Sequence, residues 1–419
     1  MNYKSFDLLN ELYFVRTGGS QQELKAAEII KAECEKLGVP AELETFKVDG
    51  CNIKKASVKF FDPEIEVECA GVGMSSSTSE DGITGEFVYV TNIIDAEIQN
   101  LEGKVCLLHS KLVNQQLYKK LVEKKAAALI LCCGNVYDDN SIVDLDPYMY
   151  RERHYKHGKI PAVCIRMKDA EAILRAKPKK ACVTLIEDEL QNDSHNVVAT
   201  IKGSKYPEEI IAFTAHYDSV SYSRGAYDNA TGSTAIMQLL AYFKEHQPAR
   251  TLKFIWCGSE EMGLLGSKAH CELNKEVLEN YKFCLNVDMI GVTIGFDIAC
   301  CTANNSLVNY IKYLGCEVGF PIQVRQGVYS SDSTPFADNG VPSVSFARIA
   351  PQGGAAIHSR KDVIDYLEEE NYYRTCDFMA YFAERLVSSV VFPVEKEIPA
   401  NMKEEIEYYF GRKEREGGR

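Results

Sequence analysis

The sequence predicts an α/β protein in which a mixed β-sheet is sandwiched between helices and a smaller β-rich domain is inserted. Three observations support this. From residue 196 onward, apolar strand-like runs alternate with segments whose apolar residues recur at helical spacing, the pattern of a sheet covered by helices on both faces. Between about 70 and 185 the texture changes to short β-rich pieces separated by loops. The 419 residues, 46% hydrophobic and 26% charged, are enough for more than one core of an ordinary globular protein.

Taken in order, residues 21–37, "QQELKAAEIIKAECEKL", have helical spacing and stop at Gly38-Val39-Pro40, a helix terminator. "AELETFKV" and "NIKKASVKFF" alternate with period two, and Asp49-Gly50 between them reads as a hairpin turn. The insert is expected over 66–189, with strands "GEFVYV", "KVCLLH", "AALILCC" and "KIPAVCIR" and helices at "NQQLYKKLVEKKA" and "KDAEAILRA". The main domain is expected over 1–65 and 190–395. Its strands are "NVVATIKG", "EIIAFTA", "TLKFIWC", "YKFCLNVDMI" and "VPSVSFA", and its helices lie over 232–245, near 262–273 and around 366–387. Residues 396–419 read as a charged tail with a terminal helix.

A net charge of −13 argues against nucleic acid or an anionic membrane surface as partner. No apolar run approaches the roughly 18 residues of a membrane span. The first twenty residues lack the basic, apolar and small-residue regions of a signal peptide. Fifteen scattered cysteines, twice adjacent at Cys132-Cys133 and Cys300-Cys301, suit small buried hydrophobes in a reducing compartment. The expected location is therefore the cytoplasm. Oligomeric state is open.

The chemistry is carried by where the acids and histidines fall. His216 and Asp218 follow "IIAFTA", Glu260 and Glu261 follow "TLKFIWCGS", and Asp288 follows "FCLNV". Asp228 stands before the helix at "TAIMQLLAYF", and His358 lies in "QGGAAIHSRKD" after "VPSVSFA". Separate elements thus deliver imidazole and carboxylate to the C-terminal strand edge, where open α/β sheets bind ligands. Singly, each has a plain reading: Asp228 as a helix cap, Glu260-Glu261 as acids favouring a helix N-terminus, His216 as a satisfied histidine. Jointly they point to a metal centre, because imidazole with carboxylate suits zinc and related divalent ions. Two histidines with three carboxylates exceed what one tetrahedral zinc with an open position needs. They suit two ions sharing a carboxylate and a water.

With "AHYDS", "GAYDNATG", "SEEMGLLGS", "NVDMIG", "SSDSTPF" and "IHSRKD" in order, the sequence resembles the zinc aminopeptidases with co-catalytic metals, the group of aminopeptidase Y and the bacterial leucyl aminopeptidases. The resemblance covers about 10–60 and 190–390. It implies a zinc-peptidase-like fold, and the insert looks like a protease-associated domain. It implies that His216 and Asp288 hold one ion, Glu261 and His358 the other, and Asp228 bridges. Glu260 is then the general base and acid, Asp218 the carboxylate that orients His216, and Asp362 a brace for the His358 loop. The implied substrates are peptides with a free N-terminus. Two places depart from the pattern: Ser331-Asp332-Ser333 stands where many members have histidine after Ser-Asp, and Tyr329 is one place off the register of a tyrosine that some members use.

Glutaminyl cyclases and some carboxypeptidases resemble the same scaffold, as do receptor proteins that have lost ligands; the complete ligand set disfavours the last. His195, His246 and His270 are expected to be surface or capping residues. "RERHYKHGK", with His154 and His157, reads as a solvated loop, with a lid near the site as the alternative.

Overall fold

A computed structural model of the chain describes residues 3–138, 145 and 148–413. It divides into two units, Met1–Val48 with Asp193–Arg419, and Asp49–Asn192. In and leading into the first unit, the strands that matter are β1 (Ala41–Phe61), β2 (Lys180–Ile201), β3 (Tyr206–His216), β4 (Arg250–Cys257), β5 (Tyr281–Val287), β6 (Phe296–Thr302), β7 (Ile322–Gln326) and β8 (Ser343–Ile349). The helices are α1 (Gln21–Lys36), α2 (Thr231–Glu245), α3 (Leu265–Leu273), α4 (Asn305–Val318), α5 (Ser333–Asp338), α6 (Glu369–Ser388) and α7 (Ala400–Tyr409).

Strand order in the first unit is β7-β6-β8-β5-β3-β4-β2. β4, β3, β5 and β8 run parallel, while β2 pairs antiparallel with β4 and β6 with β8, so the sheet is mixed. The parallel strands read as near-continuous apolar runs because both faces are covered. Along β3, Ile211, Phe213 and Ala215 turn to a core shared with α1, α2 and α6. Ile210 and Ala212 turn the other way, towards Cys271 of α3 and Phe336 of α5. That alternation is the period-two signature of a strand.

The second unit is described by itself. Strands Ile83–Val90, Val105–Leu108, Ala128–Cys133 and Ala162–Arg166 lie parallel in that order. Parallel neighbours need crossover connections, and helices Ile93–Ile98 and Gln115–Glu123 lie in the first two.

Three expectations need correction. Asp49-Gly50 is not a hairpin turn: neither residue has the positive φ that such a turn requires, and β1 runs on unbroken. A Cβ at Gly50 would meet only the Asn192 amide, at 2.6 Å. The unit boundary accordingly falls at 48/49, inside β1, rather than at 65/66, because Val58 and Phe60 belong to the second unit's core with Val105, Leu107 and Ile130. Last, β6, α4 and β7 were not anticipated. β6 carries a charge, Asp297, within its apolar run, neutralised by Arg348 at 2.8 Å, and β7 is an edge strand with alternate residues exposed.

The tail contains the expected helix, α7, and it is packed: Ile398, Met402 and Ile406 bury with Ala337. Residues 414–419 lie outside the described residues. All fifteen cysteines are free and most are buried. Among the described residues no helix is long and apolar enough to cross a membrane.

Phe213 stacks on Phe254 with ring centroids 4.8 Å apart, both buried beneath α2. Phe213→Ala is expected to destabilise the first unit by about 3–5 kcal/mol, measured as a lower urea midpoint. An unchanged midpoint would contradict this packing.

Candidate metal centre

Because β4, β3, β5 and β8 are parallel, their C-terminal ends share one edge. Register then sets the heights. Cys257 pairs with His216, so Glu260 and Glu261 begin their loop level with that histidine. Asn286 pairs with Thr214, which brings Asp288 level with His216. Asp228 arrives from the turn between β3 and α2, and His358 from the loop after β8.

Asp228 stands in the middle. Its Oδ1 lies 3.2 Å from His216 Nε2 and its Oδ2 3.0 Å from His358 Nε2. His216 Nε2 is 3.6 Å from Asp288 Oδ1, and His358 Nε2 is 3.1 Å from Glu261 Oε1. The donors therefore form two groups, His216/Asp228/Asp288 and Asp228/Glu261/His358, each with its atoms within 4.8 Å of one another. The second group faces solvent, since the His358 side chain is 49% exposed against 2% for His216.

Backbone amides hold the carboxylates. Asp218 Oδ1 is 3.4 Å from His216 Nδ1. Its two oxygens also accept the amides of Glu260 and Glu261, at 3.0 and 3.2 Å, fastening the β4 loop to the end of β3. Asp362 accepts the amides of Tyr227 and Asp228, at 2.7 and 3.1 Å. It thus ties the His358 loop to the shared carboxylate. Asn229, unnoticed in the sequence, donates to Val287 O at 2.9 Å and accepts from Met289 N at 3.0 Å, linking Asp228 to the end of β5. Ser259, Met289 and His358 all have left-handed φ, at 50°, 66° and 55°. Such a conformation in a non-glycine residue costs about 1–3 kcal/mol and persists only where surrounding bonds hold it. All three lie on a ligand or within two residues of one.

Electrostatics follow from crowding. Burial would lower the His216 pKa, but Glu260 and the neighbouring Asp218, Asp228 and Asp288 carboxylates carry it well above the usual range. For His358, burial is likewise overcome by Asp228 and Glu261, which push it up to about 11. Glu260 is raised well above the carboxylate range, first by burial and then, against His216, by Glu261, Asp332 and Asp288. Glu261 is raised by burial and Asp228. Burial acts to raise Asp228 too, yet His216 and His358 bring it below its ordinary value. Asp288 Oδ1 is buried with no hydrogen-bond partner among the described residues. Buried carboxylates this close need cations, and the nitrogen–oxygen donor set suits two zinc-like divalent ions.

His216, Asp218, Asp228, Glu261, Asp288 and His358 are thus brought together, with Glu260 beside Glu261. Tyr329, half-buried, is within range of the Asp288 and Asp228 charges, and burial raises its phenol. Asp332 is fully buried, both oxygens lack a partner among the described residues, and burial lifts it to about 7. Two expectations about other histidines fail. His270 is buried between Glu44 at 2.7 Å and Tyr281 OH at 2.9 Å, because an imidazole with acid and phenol partners can enter a core. His154 is also buried: its ring packs on Tyr118 and Tyr150 and its Nε2 is 3.0 Å from Val113 O. "RERHYKHGK" is therefore not a wholly solvated loop.

Residues 196–383 match the sequence profile of Peptidase family M28. Carboxypeptidase Q from Bos taurus is 25% identical over 416 residues, covering 95% of this chain and 86% of the relative. Aminopeptidase YwaD from Bacillus subtilis (strain 168) is 25% identical over 392 residues, covering 90% and 82%. Among solved structures, BSAP, a zinc aminopeptidase from Bacillus subtilis, superposes with a TM-score of 0.75 at 22% identity, covering 94% of this chain and 98% of that one. An aminopeptidase from Aneurinibacillus sp. strain AM-1 gives 0.74 at 22% identity, covering 94% and 95%; at these identities the superpositions establish the fold. Residues 196–383, which carry the candidate ligand cluster at the sheet edge, are thus similar to Peptidase family M28.

Proposed function

We propose that this chain is an aminopeptidase working with two zinc ions and removing the N-terminal residue of peptides, with Glu260 as general base and acid. The observation that carries the reading is Asp228, whose two oxygens face two different histidines. His216 and Asp288 would hold one ion and Glu261 and His358 the other, with Asp228 giving one oxygen to each. Ions bound there supply a water acidic enough to ionise near neutral pH and an electrophile for the scissile carbonyl.

The chain's own groups do the rest. Asp218 keeps His216 oriented from behind. Glu260, its amide fixed on Asp218, takes a proton from the attacking water and returns it to the amine nitrogen as the C–N bond breaks. A carboxyl raised by its surroundings suits both directions of that transfer. The surplus of carboxylates at the rim favours a free α-ammonium, and Aminopeptidase YwaD matches 90% of this chain. Free cysteines throughout support a reducing, cytoplasmic setting.

A carboxypeptidase is the second reading, favoured by Carboxypeptidase Q at the same identity over 95% of the chain. Blocked peptides separate the two. An aminopeptidase hydrolyses substrates with a blocked C-terminus, including aminoacyl anilides, and spares those with a blocked N-terminus; a carboxypeptidase does the reverse.

Anilide hydrolysis is expected to stop on chelation and return with zinc. Glu260→Gln is expected to lower kcat by about 10²–10⁴-fold while the protein keeps both ions by elemental analysis; an unaffected kcat would remove Glu260 from the role. Metal uptake is also expected to release protons, because the surrounding carboxylates raise both imidazoles and each must be neutral to ligate. With His358 titrating at about 11, protons compete with metal throughout the neutral range, so affinity should rise with pH. Calorimetry in buffers of different ionisation enthalpy measures this, and a heat independent of buffer would contradict it.

A further inference from the structure

Outside residues 196–383, two buried charged side chains of the N-terminal segment reach the loops that carry the ligands. Arg16 is fully buried. Its guanidinium donates to Tyr217 O, to Leu12 O at 2.7 Å, to Phe14 O at 3.0 Å, to Arg224 O at 2.5 Å and to Gly225 O at 2.8 Å. Its backbone closes the same contact, the Arg16 amide donating to Ser219 Oγ at 3.1 Å and the Ser219 amide to Arg16 O at 3.2 Å. These acceptors bracket the loop from 217 to 225, which joins His216 and Asp218 to Asp228.

Glu23 is the counterpart at the next loop. It is buried at the first turn of α1. Its Oε1 accepts from Ser259 N at 2.8 Å, Ser259 Oγ at 3.1 Å and Ser194 Oγ at 2.9 Å, and its Oε2 accepts from Gly19 N at 2.8 Å. Ser259 is the left-handed residue immediately before Glu260 and Glu261.

We propose that Arg16 and Glu23 are positioning residues of the metal centre: Arg16 sets the spacing of His216 from Asp228, and Glu23 holds Ser259 so that Glu260 and Glu261 point into the site. The inference rests on the two-ion reading given above. The chemistry fits each role. Only a guanidinium offers a planar fork of five N–H donors to several carbonyls at once, which lysine cannot reproduce. The two Glu23 oxygens face four donors, and burial with Asp218 lifts the carboxyl to about 8 against those bonds; glutamine would turn an NH₂ towards Gly19 N–H or towards Ser259. Burial lowers Arg16 to about 10, opposed by Asp218, Asp362, Asp228 and Glu261. It therefore stays cationic at neutral pH and offsets the carboxylates above it.

The test uses the full chain stripped of metal and titrated with zinc alone against a chromogenic chelator. The folded state of each metal-free variant is checked by circular dichroism and thermal melting. Wild type should bind two ions. Arg16→Lys should weaken binding by about 10–100-fold, and in Arg16→Ala added guanidinium ion should restore part of the lost affinity. Glu23→Gln should weaken chiefly one of the two ions, that of the Glu261 and His358 group. Folded variants that bind both ions with wild-type affinity would overturn the proposal while leaving the metal site standing. Loss of the fold in metal-free Arg16→Lys and Glu23→Gln would also overturn it, assigning both residues to folding. A wild-type chain that binds no zinc would instead remove the two-ion reading on which it rests.

Discussion

Negative charge buried at one edge of the sheet is the constraint on which the unit depends. Asp218, Asp228, Glu260, Asp288 and Asp332 are buried, and Glu261 is nearly so. Ionised carboxylates packed this closely, out of reach of water, cost several kcal/mol each unless cations stand between them. In the metal-free chain protons join the Arg16 guanidinium in offsetting that charge, and both histidines are driven upward and Glu260 with them. Divalent ions relieve the same charge with fixed geometry. The cluster is therefore best understood as a site shaped for cations before any arrive.

Holding such a cluster open requires a rigid frame, and the frame is built from backbone. Parallel pairing in register puts the ends of β3, β4 and β5 at matching heights. Asp218, Asp362 and Asn229 each join two of the ligand-bearing loops through main-chain groups. Arg16 and Glu23 fasten the loops after β3 and β4 to the N-terminal segment. Three left-handed residues sit among these bonds, a conformation that an unsupported loop would relax.

Much of this was legible in the sequence, for definable reasons. A buried parallel strand is an apolar run, and the first polar residues after it must lie at the sheet edge; His216, Glu260, Glu261 and Asp288 were found in that way. Six ordered motifs then supplied the family and, through it, the expected roles. What escaped was tertiary. Arg16 and Glu23 look like ordinary surface charges until the chain folds over them. His154 and His270 lie among polar neighbours in the sequence, while their burial depends on Tyr118, Tyr150, Glu44 and Tyr281 brought from elsewhere. Asp49-Gly50 has the composition of a turn, but it lies inside a continuous strand, and no local signal in those two residues distinguishes the cases.

The most direct test of the two-ion centre is anomalous scattering at the zinc edge from crystals of the zinc-loaded chain. Two peaks are expected, one beside His216 and Asp288 and the other beside Glu261 and His358, each in contact with a different oxygen of Asp228. A single peak, or two peaks that leave Asp228 unligated, would contradict it.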